Sequence, residues 1–240
     1  MLLSIIAVSE SGIRPAVEIL SGSEVIPALP LKGIKIGIDP GHQEKANNEQ
    51  ETISPTTRET KAKVASGTRG VATGVYEYMV NLDVSYMLKD FLSDLGADVL
   101  MTRYSHDVNI SNQERAIMMN EWGADLVLRI HCNGSTNQDV NGMGMYVRKT
   151  GAFAKESALL AEWLIDEMVK TSGANSQGVF KRNTYTGLNY SEVPSVLVEM
   201  GYMTNPQEDQ KLNDPEYRMR LVAGMVNGII GYVNESQASQ

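Results

Sequence analysis

Four side chains in this 240-residue sequence are of types that do chemistry, and each lies where a strand or a helix should begin or end. His42 follows the segment IKIGIDPG, whose alternating isoleucines predict a strand that the Asp-Pro-Gly run stops. His131 closes the apolar segment DLVLRIH, and Glu199 lies near the end of PSVLVEM. If these strands are parallel, their carboxyl ends meet at one edge of the sheet, where open α/β sheets place their sites. We therefore expect His42, His131 and Glu199 to lie close together.

Glu77 is the fourth candidate, because it falls on the apolar face of a predicted helix over residues 77–95. A carboxylate on a buried face is unfavourable unless it is paired or bound to a metal. Two simpler interpretations stay open: a glutamate in the first turn is favoured by the helix dipole, and a lone histidine at a strand end is more often structural. The gathering of two histidines and two glutamates at one edge favours a functional site.

Two imidazoles and one carboxylate form a donor set that binds Zn²⁺ and leaves a fourth position open for water. Such a site is catalytic rather than structural, since structural zinc has four protein ligands. The sequence thus predicts His42, Glu77 and His131 as ligands of one Zn²⁺ per chain. The carboxylate of Glu199 is then available as the general base.

The third histidine and the single cysteine have other expected roles. His106 lies in the polar segment YSHDVNIS and is expected to be exposed to solvent. Cys132 follows His131 in a strand, so its side chain should point to the opposite face of the sheet. This placement argues against a cysteine–histidine nucleophile pair.

The elements that must position these residues alternate between strand and helix from residue 33 onward, which predicts a mostly parallel sheet covered on both faces. Ser111 and Glu114 form a capping-box pattern, and Asp214 followed by Pro215 is a helix start. The predicted strands are 34–39, 97–102, 125–131, 143–148 and 195–200, and the predicted helices are 77–95, 111–122, 152–172 and 214–234.

The segment between His42 and Glu77 interrupts this alternation with more than thirty residues, rich in Glu, Lys, Thr, Ser and Asn, that show no clear periodicity. A loop of this length without regular structure is uncommon and usually functional. We expect an insertion at about residues 43–70 on the rim of the catalytic groove, because both of its ends adjoin proposed ligands. Its second half is basic and could meet carboxylates of a substrate; the residues concerned are Arg58, Lys61, Lys63 and Arg69.

Composition excludes several classes of protein. The formal net charge of −8 argues against binding to nucleic acid, which requires clustered lysine and arginine. One cysteine excludes an internal disulfide. No apolar run approaches the roughly 20 residues that span a bilayer, so we expect no membrane-spanning segment. Residues 1–31 read as an irregular lead-in whose start, MLLSIIAV, is an export-signal remnant, a first strand or a cloning artefact.

Four segments together resemble the zinc-dependent N-acetylmuramoyl-L-alanine amidases of the Amidase_3 family, in the same order along the chain and over about residues 33–234. The segments are IGIDPGH, YEYMVNLDVSYMLKDFL, TRYSHDVNISNQERAIMMNEWGADLVLRIHCNGS and VPSVLVEMGYMTNPQEDQKL. The resemblance implies a mixed, mostly parallel sheet flanked by helices on both faces, of the phosphorylase/hydrolase-like type. It also implies a catalytic domain over residues 32–240.

The resemblance assigns the zinc and general-base roles to the same four residues singled out above. It adds Asn133, two residues after the second histidine, as a residue that orients ligand or substrate, and Arg129 is a further candidate for that role. Three departures from the family pattern are the longer loop after His42, Cys132 in place of a small residue such as alanine, and the lack of wall-binding repeats. The short connection after His131 also leaves no room for the autoinhibitory helix of some family members.

The activity implied is hydrolysis of the amide bond between N-acetylmuramic acid and L-alanine in peptidoglycan. The expected location is outside the cytoplasm, in the bacterial cell envelope or secreted. The expected partner is peptidoglycan, and the sequence identifies no activator or targeting protein. Two alternatives stay open: a zinc amidase or peptidase that acts on another bond of the wall, and a non-catalytic wall-binding protein with the same fold.

Overall fold

The computed structural model describes residues 29–238 and the backbone of two short strands that precede them. These two strands, β1 (Ile6–Ala7) and β2 (Arg14–Pro15), pair in an antiparallel manner. The irregular lead-in expected over residues 1–31 otherwise lies almost wholly outside the described residues. None of the helices within the described part of the chain has the length and apolarity needed to cross a membrane.

A six-stranded sheet organises the chain from residue 35 onward. Its strands are β3 (Lys35–Pro40), β6 (Asp98–Met101), β7 (Leu126–Asn133), β8 (Met143–Arg148), β9 (Ser176–Arg182) and β10 (Ser195–Tyr202). Their order across the sheet is β6-β3-β7-β10-β8-β9. The first four strands in this order are parallel, β8 is antiparallel to β10, and β9 is parallel to β8. The prediction of a mixed, mostly parallel sheet is confirmed.

Helices cover both faces of this sheet, as predicted. Three long helices pack over one face, against alternate strand residues such as Ile36, Ile38 and Leu128. On the other face the sheet carries Gly37, where an added Cβ would lie 2.7 Å from the Met119 sulfur, so the second helix packs closely there. The helices are α1 (Glu77–Asp94), α2 (Asn112–Trp122), α3 (Ala154–Ser172), α4 (Thr186–Asn189), α5 (Pro206–Leu212) and α6 (Pro215–Ala238).

Local sequence signals fix the ends of several helices. The Ser111 hydroxyl accepts a hydrogen bond from the Glu114 N–H, and the Glu114 carboxylate accepts one from the Ser111 N–H, so the predicted capping box forms. Gly123 ends α2 in the left-handed conformation. The Asp214 carboxylate accepts from the Glu216 N–H at the start of α6. These signals are read from neighbouring residues, which is why sequence alone predicts them.

The segment expected to be a loop without regular structure is a β-hairpin, so this prediction was wrong. Its strands β4 (Asn47–Thr52) and β5 (Thr60–Val64) pair in an antiparallel manner. The sequence of β4 is NNEQET, which is polar throughout and so lacks the apolar alternation that predicts a strand. The hairpin is held by contacts with distant residues: the Asn189 amide donates to the Ile53 carbonyl oxygen, and Thr52 hydrogen bonds to Tyr190.

Three further elements were not predicted. The strand β9 lies at the edge of the sheet, where half-exposed side chains give a weak apolar pattern. The helices α4 and α5 are only 4 and 7 residues long, too short for helical periodicity to be read. The start of α5 nevertheless carries a cap signal, since the Asn205 side chain accepts from the Gln207 and Glu208 N–H groups.

Candidate metal centre

His42 lies two residues beyond the end of β3, on a backbone that turns sharply. Its φ angle is 59°, in the left-handed region that residues other than glycine rarely adopt. The His42 Nδ1 atom lies 2.8 Å from the Ala65 carbonyl oxygen, so Nδ1 carries the ring proton and donates it there. The Nε2 lone pair is then free for a metal, an orientation that a second hydrogen bond commonly fixes in metal-binding histidines.

Gly41 allows the second histidine to approach. A Cβ added at Gly41 would lie 2.3 Å from the His131 ring, so only glycine leaves room for that ring. His131 lies on β7, beside β3 in the sheet, and its ring meets the His42 ring edge-on with centroids 4.8 Å apart. The parallel order of β3 and β7 therefore brings the two predicted histidines together.

Glu77 is the first residue of α1 and is almost fully buried, with 2% of its surface exposed. Its Oε1 atom lies 3.2 Å from His42 Nε2 and 3.2 Å from His131 Nδ1. The Cys132 N–H donates to the same oxygen, and the Thr68 N–H donates to Oε2. The structure thus places both imidazoles on one carboxylate oxygen.

The spacing of these three donors suits a small divalent cation. One nitrogen from each histidine and one Glu77 oxygen lie within 4.8 Å of one another. Around zinc, donors at about 2.0–2.1 Å in a tetrahedral arrangement are about 3.3 Å apart, close to the two 3.2 Å separations observed here. We call His42, Glu77 and His131 the metal centre; they are the three residues that the sequence predicts as ligands.

Mutual charge interactions govern the protonation of the metal centre. Burial alone would raise the pKa of Glu77, but its bonds and charge interactions with the two imidazoles hold that pKa well below its usual range. Burial lowers the pKa of His131, against the opposing effect of Glu77. For His42, the hydrogen bond and charge of Glu77 outweigh burial and raise the pKa. An ionised carboxylate and a neutral His131 are the forms that bind a metal cation.

Glu199 faces the metal centre from β10. It is paired in register with His131 on the neighbouring parallel strand, and its side chain is half-buried. Its Oε2 atom is buried and has no hydrogen-bond partner among the described residues. Burial and the negative charge of Glu77 raise the pKa of Glu199 well above its ordinary value. A carboxyl group in this environment binds its proton more tightly than an exposed glutamate does.

A cavity of about 190 Å³ joins these groups. It is lined by His42, His131 and Glu199. Lys61 from the hairpin, Arg129 from β7 and residues 185–187 at the start of α4 also line it. Lys61 thus brings the β4–β5 hairpin to this cavity.

The two further predicted residues have different positions. Arg129 lines the cavity, and its Nη2 atom lies 2.8 Å from the Asp39 carboxylate. Asn133 is not among the residues that line the cavity; its side-chain oxygen accepts from the Gly134 N–H. The structure thus brings Arg129, but not Asn133, to the cavity wall.

Neither remaining candidate joins the metal centre. His106 is half-buried rather than exposed to solvent as expected, with its ring edge-on against Tyr78 at 5.1 Å. Cys132 is buried in the core on the opposite face of β7 from His131, as predicted. Burial, together with the negative charge of Glu77, raises the pKa of the Cys132 thiol well above its usual value, so this thiol is a poor nucleophile.

A buried ionic network that the sequence analysis missed holds the turn that carries His42. Asp39 forms ion pairs with Arg115 and Arg129, each at 2.8 Å. Arg115 also donates to the Pro40 and His42 carbonyl oxygens, while Arg103 donates to those of Pro40 and Gly41. These arginines fix the strained turn. Sequence offers no signal for them, because a charged residue in a predicted helix or loop normally faces solvent.

Fold and donor set together define an α/β protein in which two histidines and one carboxylate could hold a metal ion at the carboxyl edge of the parallel strands. Comparison with known proteins agrees with this description. Residues 36–231 match the model of the Amidase_3 family, described as N-acetylmuramoyl-L-alanine amidase. The chain belongs to the Amidase_3 family. The predictions of this family and of an N-acetylmuramoyl-L-alanine amidase are confirmed.

Individual relatives extend the comparison. The chain is 29% identical to the N-acetylmuramoyl-L-alanine amidase LytC of Bacillus subtilis over 85% of its own length, but spans only 36% of LytC. It is 26% identical to the N-acetylmuramoyl-L-alanine amidase Rv3717 of Mycobacterium tuberculosis, covering 92% of this chain and 95% of that protein. The crystal structure of the amidase Ami1 from Mycobacterium smegmatis superposes with a TM-score of 0.78 at 26% identity, covering 85% and 99% of the two chains.

Proposed function

We propose that this protein hydrolyses the amide bond between the lactyl group of N-acetylmuramic acid and L-alanine in peptidoglycan, with one zinc ion held by the metal centre. The observation that carries the proposal is the convergence of His42 Nε2 and His131 Nδ1 on one Glu77 oxygen, with Glu199 across the same cavity. Family membership over residues 36–231 supplies the bond that is cleaved.

The chemistry that zinc supplies in such a site is polarisation of the amide carbonyl and activation of a water molecule. The protein's own groups handle the proton. Glu199 accepts a proton from the attacking water and delivers it to the departing nitrogen of L-alanine, which leaves as a free amine. The Glu199 carboxyl suits this role because its Oε2 atom has no partner among the described residues that would hold the proton elsewhere.

The surrounding residues keep the ligands in place. The Ala65 carbonyl oxygen accepts the His42 Nδ1 proton and so directs Nε2 toward the metal centre. The Thr68 and Cys132 N–H groups orient the Glu77 carboxylate. We assign the catalytic unit to residues 32–240 and the hairpin region at about 43–70 to the rim of its groove. Because the substrate is the cell wall, the enzyme acts outside the cytoplasm.

Digestion of purified peptidoglycan tests the proposed function. Mass spectrometry of the products should find intact stem peptides that begin with a free L-alanine amine, and a zinc chelator should abolish their release. Shortened peptides would indicate instead a peptidase that cuts another bond. Binding to the wall without any soluble product, with or without added zinc, would indicate a non-catalytic protein.

A further inference from the structure

The cavity beside the metal centre contains a buried guanidinium that the protein uses only in part. Arg129 is 3% exposed, and its two polar contacts, with Asp39 at 2.8 Å and with Asn112 at 3.4 Å, both involve Nη2. A guanidinium has five N–H donors. The donors on Nη1 and Nε form no hydrogen bond with any residue that the structure describes. Gly187 packs on its plane, since an added Cβ there would lie 2.0 Å from Cζ.

A second cation enters the same cavity from the hairpin. Lys61 is half-buried on β5, and its Nζ atom donates to the Thr184 carbonyl oxygen at 3.2 Å. It forms no salt bridge with any carboxylate in the described part of the chain, whereas Lys63 on the same strand pairs with Glu49 at 2.8 Å. Burial and the positive charge of Arg129 both lower the pKa of Lys61, so the two cations act on each other.

Two carboxylates, Asp39 and Glu51, lie near these cations, and the negative charge of Glu51 acts on both of them, but neither carboxylate forms a salt bridge with Lys61. Asp39 is shared between Arg115 and Arg129. Glu51, the cross-strand neighbour of Lys61, accepts through Oε2 from the Gln113 N–H rather than from a cation. The Thr186 hydroxyl, 1% exposed, also lines the cavity and has no hydrogen-bond partner among the described residues. A buried hydroxyl without a partner is costly unless a ligand pairs with it.

We propose that this part of the cavity, which we call the Lys61–Arg129 pocket, binds a carboxylate of the peptidoglycan stem peptide next to the scissile bond. The inference rests on the proposed function and adds a specificity to it. The cavity that contains these donors also contains His131 and Glu199, so a substrate group bound by them lies near the scissile bond. The first stem-peptide carboxyl group beyond L-alanine is the α-carboxyl of the next residue, which occurs either free or as a carboxamide.

The pocket selects the free acid over the carboxamide. A carboxylate presents acceptor oxygens alone, which match the Arg129, Lys61 and Thr186 donors. A carboxamide places an NH₂ donor against the same donors and brings no charge, so one or more of them stays unpaired. A hydrogen bond to a charged group corresponds to a discrimination of about 10- to 100-fold.

Paired substrates test this selection. The zinc-loaded chain is assayed on disaccharide–L-Ala–γ-D-Glu–L-Lys and on the same muropeptide with the α-carboxylate converted to carboxamide. We expect kcat/KM about 10- to 100-fold higher for the acid. Lys61→Met should raise KM for the acid substrate much more than for the amide substrate, and Lys61→Arg should retain the preference. Lys63→Met is the matched control, because its partner Glu49 lies outside the pocket.

A wild-type enzyme without preference for the acid would overturn the proposal, as would a Lys61→Met variant that loses activity equally on both substrates. Calorimetry with the tripeptide L-Ala–γ-D-Glu–L-Lys and its carboxamide supplies a reading independent of turnover, with tighter binding of the acid expected. If product masses reveal no cleavage before L-alanine on either muropeptide, the proposed function fails. The calorimetric comparison then still decides for or against the carboxylate pocket.

Discussion

Asp39 is the buried carboxylate on which the turn before His42 depends, and its charge can be removed without changing its shape. Its side chain is fully buried and accepts from Thr102 in addition to its ion pairs with Arg115 and Arg129. Asp39→Asn keeps one acceptor oxygen but leaves two buried guanidinium groups without a counter-ion. Breaking a buried ion pair by removing one partner destabilises a protein by about 3–5 kcal/mol. We expect a loss of unfolding free energy in that range at pH 7.

The same ion pairs also determine how the unfolding free energy changes with pH. Burial would raise the pKa of Asp39, but the charges of Arg129 and Arg115 and the bond from Thr102 hold it far below its usual range. A group whose folded pKa is depressed contributes stability above its unfolded pKa, about 3.9, and loses it as the pH falls toward the folded value. Wild-type stability should therefore fall more steeply than that of Asp39→Asn below about pH 4, and the difference between them should narrow.

Urea unfolding between pH 7 and pH 3, followed by circular dichroism with chelator present, measures both quantities. The chelator removes the separate pH dependence of metal binding. A destabilisation below about 1 kcal/mol at pH 7 would refute the reasoning, since it would mean that the arginines find other partners. Parallel stability curves for the two proteins down to pH 3 would refute it as well.

Three further outcomes follow from the geometry of the metal centre. Alanine at any of its three donors should abolish both zinc binding, measured by elemental analysis, and turnover, whereas His106→Ala should change neither. Zinc loss in His106→Ala alone would contradict the ligand assignment. Glu199→Gln should retain zinc while kcat falls by about 10²–10⁴-fold. Glu77→Gln should instead lose zinc and regain part of its activity when zinc is added. A metal-free or fully active Glu199→Gln variant would argue against a base at this position. Gly41→Ala should push the His131 ring aside and weaken zinc affinity by about 10- to 100-fold, as loss of supporting contacts does elsewhere; unchanged affinity in a competition titration would mean that the ring adjusts without cost.

The sequence by itself was sufficient to predict the strand that precedes His42 and the strands that contain His131 and Glu199. Each follows an apolar run, and the carboxyl ends of neighbouring parallel strands must meet at one edge. Glu77 was also recognisable, because a carboxylate on the apolar stripe of a helix needs a partner. Caps such as Ser111 with Glu114 were readable for the same reason that they form: both partners are only three residues apart.

Only the tertiary structure decided what surrounds those residues. The β4–β5 hairpin is nearly all polar, so its strands depend on cross-strand pairing and on contacts with Asn189 and Tyr190, more than 130 residues away. Arg115 and Arg129 become buried because Asp39, distant in sequence, supplies the counter-charge. Lys61 reaches the cavity through the fold of the hairpin, while Lys63 two residues later does not. Periodicity and capping depend on near neighbours, whereas a buried charge depends on a partner that only the folded chain brings within reach.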